Sequence, residues 1–282
     1  MSAEQTRPHL PLPEVAPLEA PDDLAPRLAE LGLTLTPAQV TKLGAYLALL
    51  LAMNEQMNLT AITDPSEAWS RHVLDSLSIV PELADLPAGA RVIDVGSGGG
   101  VPGIPLAIAR PDLAVVLLDA TEKKVAFLAG AAKALELANV KCVWGRAEEL
   151  AQGKLGHAFD AVTARAVGKL STLLGWTAPF ARAGGRLVYI KGAKADEELR
   201  DAKKQLRAFR CEHLRTVLRG TLSSTRRVRR ARGTPLVAVH VAHVATHRAA
   251  SARRTRRALP RRSLGLRLPR LPRDRPALEP HR

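Results

Sequence analysis

The sequence predicts an α/β protein in which a doubly wound sheet is preceded by a cap of about three helices. Three observations predict it. Up to about residue 85 the apolar residues recur at helical spacing. From Arg91 onward, short apolar runs alternate with helix-like runs, the pattern of strands joined by crossover helices. The first of those runs, RVIDV (91–95), ends in a glycine-rich turn that opens another helix-like run, as nucleotide-binding strand–turn–helix units do.

Taken in order, residues 1–21 carry Pro8, Pro11, Pro13, Pro17 and Pro21 and read as a disordered lead. A first helix is expected from near Asp22 to near Gly32. Thr36 as N-cap, with Pro37 in the first turn, starts a second. Its pattern, AQVTKLGAYLALLLAMNEQM, places Val40, Leu43, Leu47, Leu50 or Leu51 and Met57 on one face. A third amphipathic helix, from about Ser66 to Val80, completes a cap over residues 22–85.

Residues 86–220 then read as the α/β domain. Its strands are RVIDV, AVVLLDA, VKCVWG, FDAVTARA and GRLVYIKG, with helices VPGIPLAIAR, EKKVAFLAGAAKALEL and TLLGWTAPFA between them. ADEELRDAKKQLRAF reads as one charged amphipathic helix, and HLRTVL as a candidate sixth strand.

Composition narrows the function classes. The 282 residues include 42 Lys and Arg against 27 Asp and Glu, a formal charge of +15. Residues 1–220 are neutral, with 25 of each sign, while residues 221–282 hold 17 Arg and 2 acids. The charge therefore says little about the α/β body. Two cysteines, Cys142 and Cys211, exclude a disulfide scaffold or a Cys-rich zinc site. The N-terminus has no apolar core of a signal peptide, and the apolar stretch Leu47–Met53 is far shorter than a membrane span of about 20 residues. The expectation is a soluble cytoplasmic protein.

The glycine loop carries the chemistry. It runs Asp94-Val95-Gly96-Ser97-Gly98-Gly99-Gly100-Val101-Pro102-Gly103. Glycines let the backbone turn out of the strand and approach a ligand facing the next helix. Gly98, Gly100 and Gly103 satisfy G-x-G-x-x-G, which keeps a nicotinamide oxidoreductase in view; no Gly-Lys-Ser/Thr follows, which excludes a P-loop. Asp119 ends the second strand, where a carboxylate accepts ribose hydroxyls of either NAD or S-adenosylmethionine and also suits a helix cap. Asp94 differs: it can hold the turn's amides and sit near a ligand's ammonium group, which nicotinamide cofactors lack.

The strings MNLTAI (57–62), RHVLDS (71–76), VIDVGSGGGVPGIPLAI (92–108), LLDATEKKVAFL (117–128), GRAEEL (145–150), VTARAV (162–167) and YIKG (189–192) together closely resemble the RsmG (GidB) family. The resemblance covers about residues 24–220. It implies a Rossmann-like, class I S-adenosylmethionine-dependent methyltransferase sheet that methylates guanine N7 in 16S ribosomal RNA. It also implies that S-adenosylmethionine lies on Gly96, Gly98 and Val101, with Asp119 near the ribose, Ala147 and Glu148 at the adenine, and Arg165 at the end of the fourth strand. The cofactor motifs do not name the acceptor, so another RNA or a small molecule stays open.

Guanine N7 has an in-plane lone pair, so the implied reaction needs alignment rather than a general base. Arg146, Arg165 and Lys191, at strand ends or nearby loops, are the candidates for positioning the base and its phosphates. Cys142 falls inside a strand, which argues against a cysteine nucleophile. RHVLDS puts Arg71 and Asp75 at i, i+4 and His72 and Asp75 at i, i+3, either a helix-stabilising pair or a face that closes over the pocket or contacts RNA. The expected partner is 16S RNA or the small ribosomal subunit, bound chiefly through phosphates, by a monomer with no membrane and no obligate protein partner.

After VLRGTL (217–222) the resemblance fades into SSTRRVRRARG. Family members imply a closing β-hairpin here, for which LVAVHV (236–241) is the available strand. A basic arm, a disordered extension and a shifted reading frame all fit residues 221–282, and a frame shift near 221–225 fits best.

Overall fold

A computed structural model describes residues 11–165, 167–192, 194–218 and 238–243. All belong to the unit Met1–Thr246; the second unit, His247–Arg282, lies outside the described residues, and with it most of the Arg-rich tail.

The cap is built as the sequence dictates, with local revisions. Helix α1 spans Leu24–Glu30 and α2 spans Pro37–Met57. Thr36 caps α2 in a reciprocal capping box with Gln39, and Pro37 occupies its first turn, so both start signals act as read. Asn58 ends α2 in the left-handed conformation, φ 51°, which asparagine tolerates better than most residues. Burial along α2 is wider than one stripe: Leu43, Tyr46, Leu47, Leu49, Leu50 and Met53 are all enclosed. The glycine loop covers Tyr46 and Leu50, and the N-terminal lead lies over Gly44. Residues 11–21 have no regular secondary structure and are mostly exposed, with a few contacts to the helices. The Leu18 amide donates to the Gly44 carbonyl at 3.1 Å, a Cβ on Gly44 would collide with the Leu18 carbonyl, and Leu12 lies against Gly130.

The expected third helix is a composite. It comprises α3 (Pro65–Ala68), capped by Asp64, then a π-helical turn (Trp69–Leu74), α4 (Asp75–Leu77) and a 3₁₀ turn (Val80–Leu83). The wider π turn overturns the expected pairing of Arg71 with Asp75. Arg71 bonds Glu67 instead, at 2.7 Å, on the exposed side.

The α/β part contains β1 (Arg91–Val95), α5 (Gly103–Ala109), β2 (Ala114–Asp119), α6 (Glu122–Ala134), β3 (Val140–Trp144), α7 (Ala147–Leu150), β4 (Phe159–Arg165), α8 (Leu170–Thr177) and β5 (Ala181–Lys191). The charged segment 195–208 is two short helices, α9 (Ala195–Asp201) and α10 (Lys203–Ala208), rather than one, because buried Ala202 leaves the helical conformation at ψ 2°. Strands β6 (Glu212–Leu218) and β7 (Ala238–His243) follow.

The sheet order is β3-β2-β1-β4-β5-β7-β6, and every pair is parallel. The last two strands therefore do not form the hairpin that the resemblance implied, since a hairpin joins antiparallel neighbours. Two apolar cores lie on the two faces of the sheet. One joins the cap to α5 and α6 through residues such as Leu47, Leu50, Trp69, Leu106 and Phe127. The other packs α8, α9 and α10 through Leu173, Phe180, Tyr189 and Leu206. The order reverses between β1 and β4, so a crevice forms beyond their C-terminal ends, the usual ligand position in open α/β sheets.

Candidate active site

The crevice has two walls. One is the glycine loop after β1, tied to the end of β2. Asp94 is fully buried; its Oδ1 accepts from Thr163 Oγ1 at 2.9 Å and its Oδ2 from the Gly103 amide at 3.2 Å. Burial pushes its carboxyl up to about 6, while the bonds from Thr163 and Gly103 oppose the rise. Gly96 and Ser97 both donate their amides to the Leu118 carbonyl, at 2.8 and 3.0 Å, and the Gly98 amide donates to Asp119 Oδ2 at 2.9 Å. Asp119 Oδ1 accepts from the Thr121 amide at 2.8 Å, an Asx turn just before α6; the N-cap itself is Thr121, so Asp119 does not cap the helix as expected.

Glycine serves the loop in different ways, and Gly96 and Gly98 also have positive φ. Gly100 has φ +101°, which side chains rarely adopt. Gly99 is a close approach: a Cβ there would lie 2.6 Å from Leu50 Cδ1 of the cap. The Gly99 carbonyl also accepts from Tyr46 Oη at 2.8 Å, so α2 grips the loop by packing and by a buried hydrogen bond. Gly98, by contrast, faces open space, its nearest neighbour to an added Cβ being the Gly96 carbonyl at 3.9 Å. A bare backbone surface beside a carboxylate with lone pairs to spare fits a nucleoside-bearing cofactor such as S-adenosylmethionine.

Beyond Asp119 the wall continues through β3. The Gly145 amide donates to the Asp119 carbonyl at 3.1 Å, and Trp144 Nε1 to the Ala120 carbonyl at 3.1 Å. Ala147 and Glu148 open α7 directly after, with Arg146 exposed at its N-cap position. Trp144 is 43% exposed, and the sequence reading treated it only as part of a strand.

The second wall belongs to β4 and the cap. Arg165 ends β4, half-buried, and turns toward the π turn: Nη1 donates to the Arg71 carbonyl at 2.5 Å, and Nη2 lies 3.2 Å from His72 Nδ1. Burial pulls its guanidinium below the ordinary value, with Asp75 opposing. His72 Nε2 is 2.9 Å from Thr60 Oγ1, and burial, reinforced by Arg165 and Arg71, pushes the imidazole down to about 3. Thus Arg71, His72, Asp75 and Arg165 are gathered as a set, although Arg71 contributes its carbonyl rather than its side chain.

Lys191 ends the neighbouring strand β5, but its ammonium is engaged, donating to the Gly168 carbonyl at 2.5 Å and pairing with Glu198 at 2.7 Å. Of the residues that sequence reasoning did not single out, Tyr46, Thr60 and Thr163 hold the walls together. Thr60 was visible only as part of the NLT string; nothing in the local pattern marks the other two. Among the described residues, no cluster of side chains could hold a metal ion, and no helix is long and apolar enough to cross a membrane.

Fold and site define a class I S-adenosylmethionine-dependent methyltransferase. The family model described as rRNA small subunit methyltransferase G matches residues 39–224. The chain is 55% identical over 208 residues to ribosomal RNA small subunit methyltransferase G of Sorangium cellulosum, covering 74% of this chain and 87% of that protein. It is 41% identical over 199 residues to the protein of the same name from Moorella thermoacetica, covering 70% and 82%. A solved precorrin-6y C5,15-methyltransferase from Geobacter metallireducens aligns with a TM-score of 0.36 at 20% identity, over 45% of this chain and 69% of that one. The chain belongs to the rRNA small subunit methyltransferase G (GidB) family. That membership sets aside the nicotinamide oxidoreductase reading of G-x-G-x-x-G.

Proposed function

We propose that this protein transfers a methyl group from S-adenosylmethionine to N7 of a guanine in 16S ribosomal RNA, acting in the cytoplasm on the RNA or the small subunit. The observation that carries the reading is the pair of walls at the β1–β4 switch point: a bare glycine loop with Asp119 on one side, and Arg165 held by the cap on the other. When bound, the cofactor supplies an electrophilic methyl on its sulfonium. Gly96, Gly98 and Val101 would cradle it, Asp119 would take the ribose hydroxyls, and Ala147 and Glu148 would border the adenine. Asp94 fixes the loop through Gly103 and Thr163.

The absence of a needed proton transfer suits the side chains present. His72 is neutral at pH 7 and both ring nitrogens have partners, so it is no general base. Arg165 can align the guanine and balance charge near it, and exposed Arg146 suits a phosphate contact. Lys191, paired with Glu198, serves the site by fixing the end of β5 and the Gly168 carbonyl.

Deleting the coding sequence and measuring 7-methylguanosine in 16S RNA tests the reading, with the purified protein and S-adenosylmethionine added back to RNA or subunits from that strain. Loss of one modified position in the strain and its return on addition are expected. Unchanged modification would refute the assignment.

We further infer that the reading frame of residues 221–282 differs from that of its relatives. The charge shift at residue 221, the family match ending at residue 224 and the parallel setting of β7 support this. Resequencing the 3′ coding end, with peptide mass spectrometry of the tail, decides it; Arg-rich tail peptides matching an intact frame would overturn the inference.

A further inference from the structure

His72 is 2% exposed and sits on the π turn, a distortion that recurs at functional sites. Both of its ring nitrogens face a partner, and the chemistry of those partners fixes the tautomer. Arginine has five N–H donors and no acceptor. The contact of 3.2 Å between Arg165 Nη2 and His72 Nδ1 therefore requires an unprotonated Nδ1. The proton of the neutral ring is then on Nε2, where it donates to Thr60 Oγ1 at 2.9 Å. Thr60 is in turn fixed: its hydroxyl oxygen also accepts from the Ile62 amide at 3.0 Å, and its own amide donates to Asn54 Oδ1 at 2.7 Å. A relay of polar contacts thus runs from the last turn of α2 through Thr60 and His72 to Arg165. The Arg71 carbonyl accepts from the other guanidinium nitrogen at 2.5 Å, so two consecutive residues of the π turn grip one arginine.

We propose that His72 is a positioning residue for methyl transfer: a neutral imidazole, locked in the Nε2–H tautomer by Thr60, whose Nδ1 lone pair sets the Arg165 guanidinium beside the cofactor loop. The proposal rests on Arg165 serving the transfer. It assigns the RHVLDS histidine neither acid–base work nor RNA contact, but the role of an acceptor that a donor-only side chain requires. It also gives the cap a function beyond covering the sheet, because the orientation of an arginine on β4 depends on a loop that leaves α2.

The test uses full-length protein, S-adenosylmethionine and unmethylated small subunits or 16S RNA. In His72→Asn the amide oxygen replaces the Nδ1 acceptor; in His72→Leu there is none. We expect His72→Leu to lower kcat by about ten- to a hundredfold with cofactor affinity changed by less than about threefold, and His72→Asn to restore most of that loss. Joined to Arg165→Ala, His72→Leu should cost nothing further, since both remove the same interaction. Multiplying losses in the double variant, or a His72→Asn as impaired as His72→Leu at equal folded fraction, would overturn the proposal. Full activity in Arg165→Ala would instead overturn the reading beneath it. Nitrogen-15 NMR of the wild-type imidazole keeps the idea open to refutation should the variants fail to fold: Nε2–H is expected at pH 7, and an Nδ1–H tautomer or an imidazolium would end it.

Discussion

The two walls of the crevice are held in different ways. The glycine-loop wall is fastened mainly from within the sheet, where Asp94 reaches Gly103 and Thr163 and Asp119 reaches Gly98 and Thr121, and the cap adds one bond, from Tyr46 to the Gly99 carbonyl. The Arg165 wall is fastened from outside the sheet, by a carbonyl and an imidazole more than ninety residues earlier in the chain. One wall is made by strand–turn–helix units that fold locally. The other takes every bond to its arginine from the cap, so its geometry depends on tertiary packing far more than that of the loop, to which the cap adds the Tyr46 bond.

That contrast can be broken at either wall. The largest effect is expected from Asp94→Ala, which leaves the Thr163 hydroxyl and the Gly103 amide buried without their acceptor; unsatisfied buried donors cost about 1–3 kcal/mol each. Urea denaturation should show a loss of about 2–4 kcal/mol, and calorimetry no cofactor binding. A stable, cofactor-binding variant would mean that the loop does not depend on this carboxylate.

An intermediate effect concerns acid. His72 titrates near 6.5 when unfolded and near 3 when folded, so the unfolded chain binds the extra proton and stability falls as pH drops below about 6.5. The slope approaches about 1.4 kcal/mol per pH unit. Asp94 acts oppositely: its folded value is raised from 3.8 to about 6, so falling pH between those values favours the folded state. The charged groups acting on His72 are the guanidinium of Arg165 from β4 and that of Arg71 from its own turn. The stability gap between wild type and His72→Asn should therefore narrow from pH 7.5 to pH 5, measured by urea denaturation at each. A gap independent of pH would show that the imidazole does not titrate as the buried wall demands.

The smallest effect belongs to the exposed side of the same turn. Glu67→Ala removes the ion pair to Arg71, whose side chains are about half exposed, and should cost at most about 0.5 kcal/mol without changing methyl transfer. A large loss of activity would mean that the Arg71 side chain, and not only its carbonyl, belongs to the second wall.

What could be read from the sequence follows the same division. Thr36 and Pro37 announce α2, and RVIDV with its glycines announces β1 and the loop, because capping and turn chemistry act within a few residues. The i, i+4 pairing of Arg71 with Asp75 was misleading because it assumes 3.6 residues per turn, and the chain there is π-helical. The prolines of the lead predict no regular structure, and residues 11–21 have none, while the contacts of Leu12 with α6 and Leu18 with α2 are named by no local pattern. Likewise Thr60, His72 and Arg165 were each visible as members of strings, while their contacts were not. The closing strand was anticipated in place, but its direction depends on pairings across the sheet.

Asp119 has one further consequence, for anyone reshaping the protein to accept a modified cofactor. Its carboxylate already serves two amides, one of them in the glycine loop, and keeps only its remaining lone pairs for a ribose. In its proposed ribose role, Asp119 would combine selectivity and loop shape in a single side chain, and a library varied at this position would confound them. Exposed Glu148, proposed to border the adenine, would be the better starting point for a cofactor–enzyme pair orthogonal to the natural one.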